Sequence, residues 1–152
     1  MQHTYFFQTL HWSAEGTYFE NDRSIPLTGE VDIVRKEAEW TLGGFMQIET
    51  EPAVRFQNYY QIHWSNEETT LEWESFNPAL GTLRGTFEII GDSIISFYTS
   101  EDGAYSGTET LTQQDEQTYY NVGVSFHNGK KMSSWTALLK AKNRTINETP
   151  ES

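Results

Sequence analysis

Ten short runs of alternating polarity, each closed by turn chemistry after about 8–12 residues, limit the folding options of this 152-residue chain more than any other feature. They lie near residues 9–20, 27–35, 38–50, 54–65, 69–76, 81–90, 93–100, 103–113, 117–127 and 130–142. A period of two puts alternate side chains on opposite faces, the pattern of a half-buried strand. No stretch has the length and 3.6-residue repeat of a crossover helix, so parallel pairing has no connection to support it. The links Ile90-Gly91-Asp92-Ser93, Glu101-Asp102-Gly103 and His127-Asn128-Gly129-Lys130 are compact, and Asp-Gly and Asn-Gly accept the positive φ of tight hairpins. Consecutive strands should therefore be neighbours. An open sheet of this size would leave two exposed edges, which closure removes. The expected fold is all-β: an antiparallel up-and-down barrel of about ten strands, one domain over residues 1–152. Within it, residues 1–8, carrying Tyr5, Phe6 and Phe7, are expected to cover one barrel end as a lid or plug, and polar 143–152 to form a flexible tail.

Alternation also assigns faces, the more apolar set being the expected interior. The first strand groups Leu10, Trp12, Ala14, Gly16 and Tyr18, and the third groups Trp40, Leu42, Gly44, Met46 and Ile48. The fourth groups Val54, Phe56, Asn58, Tyr60, Ile62 and Trp64 against Arg55, Gln57, Gln61 and His63. The fifth and sixth put Leu71, Trp73 and Ser75, then Leu83, Gly85, Phe87 and Ile89, inside. Beyond residue 93 the faces separate less cleanly, and apolarity selects Phe97, Tyr105, Glu109, Leu111, Tyr120, Val122, Val124 and Phe126. Gly43-Gly44, inside a strand pattern, reads as a bulge or kink that curves the wall.

Charge and composition exclude several classes. A formal net charge of -12 repels phosphate backbones and anionic headgroups, so nucleic acid is not an expected partner. No apolar run approaches the roughly 20 residues of a membrane-spanning helix. The absence of cysteine removes disulfides, thiolate catalysis and Cys-type metal sites, and with no export signal at the N-terminus it points to the cytoplasm. The Asn-x-Thr sequons at Asn143 and Asn147 are accordingly read as chance. His3, His11, His63 and His127 show no metal-ligand spacing, His11 and His63 are expected to point outward and be solvated, and no Gly-x-Ser-x-Gly elbow or phosphate loop occurs. No metal or cofactor is expected.

What remains is an aromatic interior with a few polar groups, the makeup of a small-molecule site. The candidate ligand contacts are Trp12, Trp40, Asn58, Tyr60, Trp73, Tyr105, Glu109 and Tyr120. They would hold a small, mostly apolar ligand. One alternative is a barrel filled by its own aromatics that acts as a structural or dimerising protein. Another is an acid–base enzyme using Glu109 with Tyr60 or Tyr105.

The stretch Glu39-Trp40-Thr41-Leu42-Gly43-Gly44-Phe45, the strand with Tyr60-Gln61-Ile62, and the hairpin from Ser93 to Ser100 with Ala104-Tyr105-Ser106-Gly107-Thr108 resemble a bacterial lipocalin-like (calycin) barrel family. The resemblance covers residues 12–140 and implies a closed barrel with an internal cavity and no established activity. Fatty-acid-binding relatives carry a late Arg-x-Tyr pair that is absent here, where the only late arginine is Arg144. Haem-binding relatives carry a late axial histidine and an early Gly-x-Trp-x-Gly; His11-Trp12-Ser13-Ala14-Glu15-Gly16 matches that only in part, and His127 falls at a turn.

Overall fold

Two-residue turns set the order of the strands. Asn21 and Asp22, at φ 50° and 66°, let Glu20 pair with Arg23. Asn128 and Gly129, at 51° and 82°, do the same for His127 and Lys130. The structure, a computed structural model, describes residues 2–78 and 80–142; the expected tail and both sequons lie outside the described residues. The strands are β1 (Leu10–Glu20), β2 (Arg23–Arg35), β3 (Glu39–Ile48), β4 (Val54–Trp64), β5 (Thr70–Asn77), β6 (Gly81–Ile90), β7 (Ser93–Ser100), β8 (Tyr105–Asp115), β9 (Thr118–His127) and β10 (Lys130–Lys142). Each pairs antiparallel with the next and β1 closes on β10, so the fold is the closed, all-β, up-and-down barrel expected from the alternation. No helix long and apolar enough to cross a membrane is present among the described residues.

β2 begins at Arg23, ahead of the expected start at residue 27, and contains Pro26. Its carbonyl accepts from the Glu49 amide at 3.0 Å, so its nitrogen also points to the β3 side, beyond the last β2–β3 rung, Leu27 with Ile48. No ladder hydrogen bond is needed there. At Gly43-Gly44 the rungs to β2 and β4 run unbroken, so the expected bulge is absent. Glycine at 44 serves close backbone approach instead: a Cβ there would strike the carbonyl of Glu30.

Beyond residue 93 the register corrects several expected faces. Ile90 pairs with Ser93, which places Ser96 opposite Phe87 and Tyr98 opposite Gly85. β7 therefore turns Ile94, Ser96, Tyr98 and Ser100 inward, and Phe97, expected inside for its apolarity, is 56% exposed. At the β8–β9 hairpin Asp115 pairs with Thr118, and continuing that register would set Glu109 against Val124. A bulge between Gln113 and Asp115 shifts every later rung, so that Glu109 faces Gly123. A one-residue shift exchanges the two faces of a strand. Tyr119, Asn121, Gly123 and Ser125 thus point inward, while Tyr120 and Val122, expected inside, are 40% and 43% exposed, and Val124 and Phe126 share their outer face.

At the barrel end where β1 starts, the chain before it folds back into the core. The amides of Phe7 and Gln8 donate to the Thr4 carbonyl at 3.1 Å each, and Tyr5 and Phe6 are buried. The Tyr119 hydroxyl accepts from the Thr4 and Tyr5 amides at 3.1 and 3.3 Å and meets His3 Nδ1 at 2.7 Å. Rings continue the layer: Tyr5 meets Trp12 edge-on at 5.1 Å, Phe6 packs on Phe87 at 4.4 Å, and Arg35 lies 4.9 Å over Trp40. His11 points outward from β1 as alternation requires, yet it is buried rather than solvated, held between Glu30 at 2.8 Å and Asp32 at 2.7 Å.

Candidate functional site

Beyond that aromatic layer the barrel is hollow. The cavity measures about 260 Å³, with Tyr5 and Phe6 at its floor and Leu27, Leu42, Leu83 and Leu111 among its walls. Typical ligand pockets start at about 300 Å³, so a guest here is small. The small Ser125, Ser133 and Ala137 of β9 and β10 border it beside the larger Trp135 and Leu139. Trp135 occupies the room left by Gly123, where a Cβ would strike its indole ring.

That indole begins a chain of fixed hydrogen bonds. Trp135 Nε1 donates to Asn121 Oδ1 at 3.0 Å, which orients the amide so that Asn121 Nδ2 donates to Glu109 Oε1 at 3.1 Å and to the Thr110 carbonyl at 3.1 Å. Glu109 lies between Ser96 of β7 and Gly123 of β9, neither large enough to cover it. It retains some accessible surface because it borders the cavity, but it sits deep in the barrel. Burial raises its pKa above the ordinary carboxylate value, and the Asn121 hydrogen bond opposes that only in part.

Three tyrosines surround this carboxyl. Burial, and then the negative charge of Glu109, raise the pKa values of Tyr5, Tyr60 and Tyr98, the last to about 12. At neutral pH all three keep their hydroxyl protons. The hydroxyls of Tyr60 and Tyr98 have no hydrogen-bond partner among the described residues, and nor does the Asn58 amide, which also faces the cavity. Glu30 borders the cavity as well, but its carboxylate is turned outward to His11.

The wall has an opening at the far end. Among the described residues β4 pairs with β5 only from Tyr60–Ser75 to Trp64–Leu71, so residues 54–59 have no rung to a described residue on that side. Asn58 and Asn77 border the slot from within, and Tyr59 and Phe76, both exposed, flank it outside. A shallower depression of about 400 Å³ lies on the outer wall between Phe97 and Phe126, open to solvent. The interior cavity is the more enclosed of the two.

Of the residues expected at a site, the structure brings together Asn58, Tyr60 and Glu109 on the cavity wall. Trp73 stands behind Tyr60, stacked at 4.3 Å, and Trp12 and Trp40 are buried in the end layer. The indole N–H groups of these three tryptophans have no hydrogen-bond partner among the described residues. Tyr105 stacks on His127 at 4.6 Å, off the cavity wall, and Tyr120 lies outside the barrel. Sequence reasoning missed Tyr98, Asn121 and Tyr5. Counting rungs back from the Ile90–Ser93 pair would have found Tyr98, whereas nothing at Gln113-Gln114-Asp115 announces the bulge that turns Asn121 inward. Among the described residues no group of three or more His, Asp or Glu side chains is placed to hold a metal ion.

No protein-family model and no curated protein matches the chain. Among solved structures it is similar to the S-type phycobiliprotein lyase CPES from Guillardia theta, with a TM-score of 0.68 over 91% of each chain and 8% sequence identity. At that identity the likeness shows a shared lipocalin-like barrel and transfers no residue role.

Proposed function

We propose that this barrel binds a small, mostly apolar ligand in its interior, with Tyr60, Asn58 and Glu109 as polar contacts. One observation carries the reading: a cavity of about 260 Å³, walled by leucines and aromatics, on which a few unsatisfied polar groups converge. Apolar walls supply affinity by removing ligand surface from water, and the polar groups fix orientation. The neighbour is named as a lyase of phycobiliproteins, which supports a barrel of ligand-binding type; at 8% identity it gives no ground for a lyase reaction in this chain. The slot between β4 and β5 provides a route to the interior.

Titration with 2-naphthol, a neutral and mostly apolar probe, tests this through quenching of tryptophan fluorescence. Ala14 lines the cavity, so Ala14→Leu should fill part of it and weaken binding at least tenfold without lowering the melting temperature. Failure of the wild-type protein to bind, or equal binding by a folded Ala14→Leu variant, would overturn the proposal.

A further inference from the structure

We infer that the cavity selects a small aromatic or aliphatic amine, whose ammonium group pairs with the Glu109 carboxylate while its apolar body fills the space above Phe6. This rests on the ligand-binding reading and adds the chemical class.

Four observations support it. Asn121 engages one Glu109 oxygen, and the other has no hydrogen-bond partner among the described residues. Among the described residues no lysine, arginine or histidine lines the cavity, so none of them offers this carboxylate a cation. A carboxylate buried without a counter-charge is costly, and a ligand cation that supplies one recovers that cost on binding. The rings of Tyr5, Tyr60, Tyr98 and Phe87 line the same cavity, and aromatic rings attract ammonium groups once these are desolvated. Outside, the net charge of -12 raises the local concentration of cations and lowers that of anions, including fatty acids.

Geometry favours an amine over a neutral donor. A hydroxyl could also reach Glu109, but it would leave the negative charge uncompensated. A charge-assisted hydrogen bond is about twice as strong as a neutral one. Asn121 is fixed by Trp135, so the acceptor is oriented before the ligand arrives.

Three probes of nearly equal shape test the inference by calorimetry at pH 8: 2-phenylethylamine, 2-phenylethanol and phenylacetate. The expected order is amine, then alcohol, then acid, with the amine bound at least tenfold more tightly than the alcohol. Glu109→Gln keeps the shape of the side chain and its contact with Asn121, so it should abolish the preference for the amine, lowering amine affinity at least tenfold and alcohol affinity by less. A melting temperature at or above that of wild type reports that the variant is folded. If amine and alcohol bind wild type equally, or if the preference survives in Glu109→Gln, the inference fails and the cavity reading stands. If none of the three binds and 2-naphthol does not bind either, both fail.

Discussion

Glu109 is held by one amide, Asn121, whose own orientation depends on the Trp135 indole. The arrangement keeps the carboxyl in place without neutralising it, so its raised pKa has a consequence for stability. A carboxyl that binds its proton more tightly in the folded state favours folding at pH below its unfolded value, about 4.3. That contribution is lost as pH rises through the folded-state pKa. Glu109→Gln, which resembles the protonated acid at every pH, should therefore match wild type below about pH 4 and exceed it at pH 7–8. A gain of roughly 1 kcal/mol corresponds to about 2–4 °C in melting temperature for a chain of this size. Melting curves across this range check it, and a pH-independent gap would contradict the assignment. The sequence showed Glu109 as an inward carboxyl through simple alternation, but not why it stays there, since Asn121 faces it only by virtue of a bulge.

Strand elements were legible where the hairpins are regular. β4, β5 and β6 alternate cleanly, and their inward residues Tyr60, Trp73 and Phe87 stack on one another as one row. β9 was misread because its more apolar face, with Tyr120 and Val122, is the outer one, and only the extra residue near Gln114 sets that face outward. Apolarity fails as a guide where a small inward residue makes room for a neighbour, as Gly123 does for the Trp135 indole. Within β3 the adjacent glycines have different physical reasons, which substitution separates. Gly44→Ala drives a Cβ into the Glu30 carbonyl and should cost about 1–3 kcal/mol by overpacking. Gly43→Ala meets only the Tyr59 ring at 3.7 Å and should stay within about 0.5 kcal/mol of wild type. Chemical denaturation of the pair measures both.

At the scale of the whole molecule the barrel is packed at one end and hollow at the other. The aromatic layer from Tyr5 to Trp64 closes the packed end, and Phe6 anchors it, 1% exposed, from a left-handed backbone at φ 72°. That conformation costs roughly 1–2 kcal/mol for a non-glycine residue, which the burial of the ring against Phe87 outweighs. Phe6→Ala should therefore destabilise the protein by about 3–5 kcal/mol, a loss visible in thermal melts. The net charge of -12 has its counterpart in a cavity wall that carries the Glu109 carboxyl and, among the described residues, no basic side chain.

The missing rungs beside residues 54–59 make this sheet a loop fastened incompletely. Only the rungs from Tyr60 to Trp64 hold β4 to β5, and the next to part, Tyr60 with Ser75, adjoins the cavity. Widening the seam from that side would break these rungs first, since no β4–β5 pair lies beyond them among the described residues. On the ligand-binding reading proposed above, a guest bulkier than about 260 Å³ would have to enter by unfastening β4 from β5, beginning at the Tyr60–Ser75 rung.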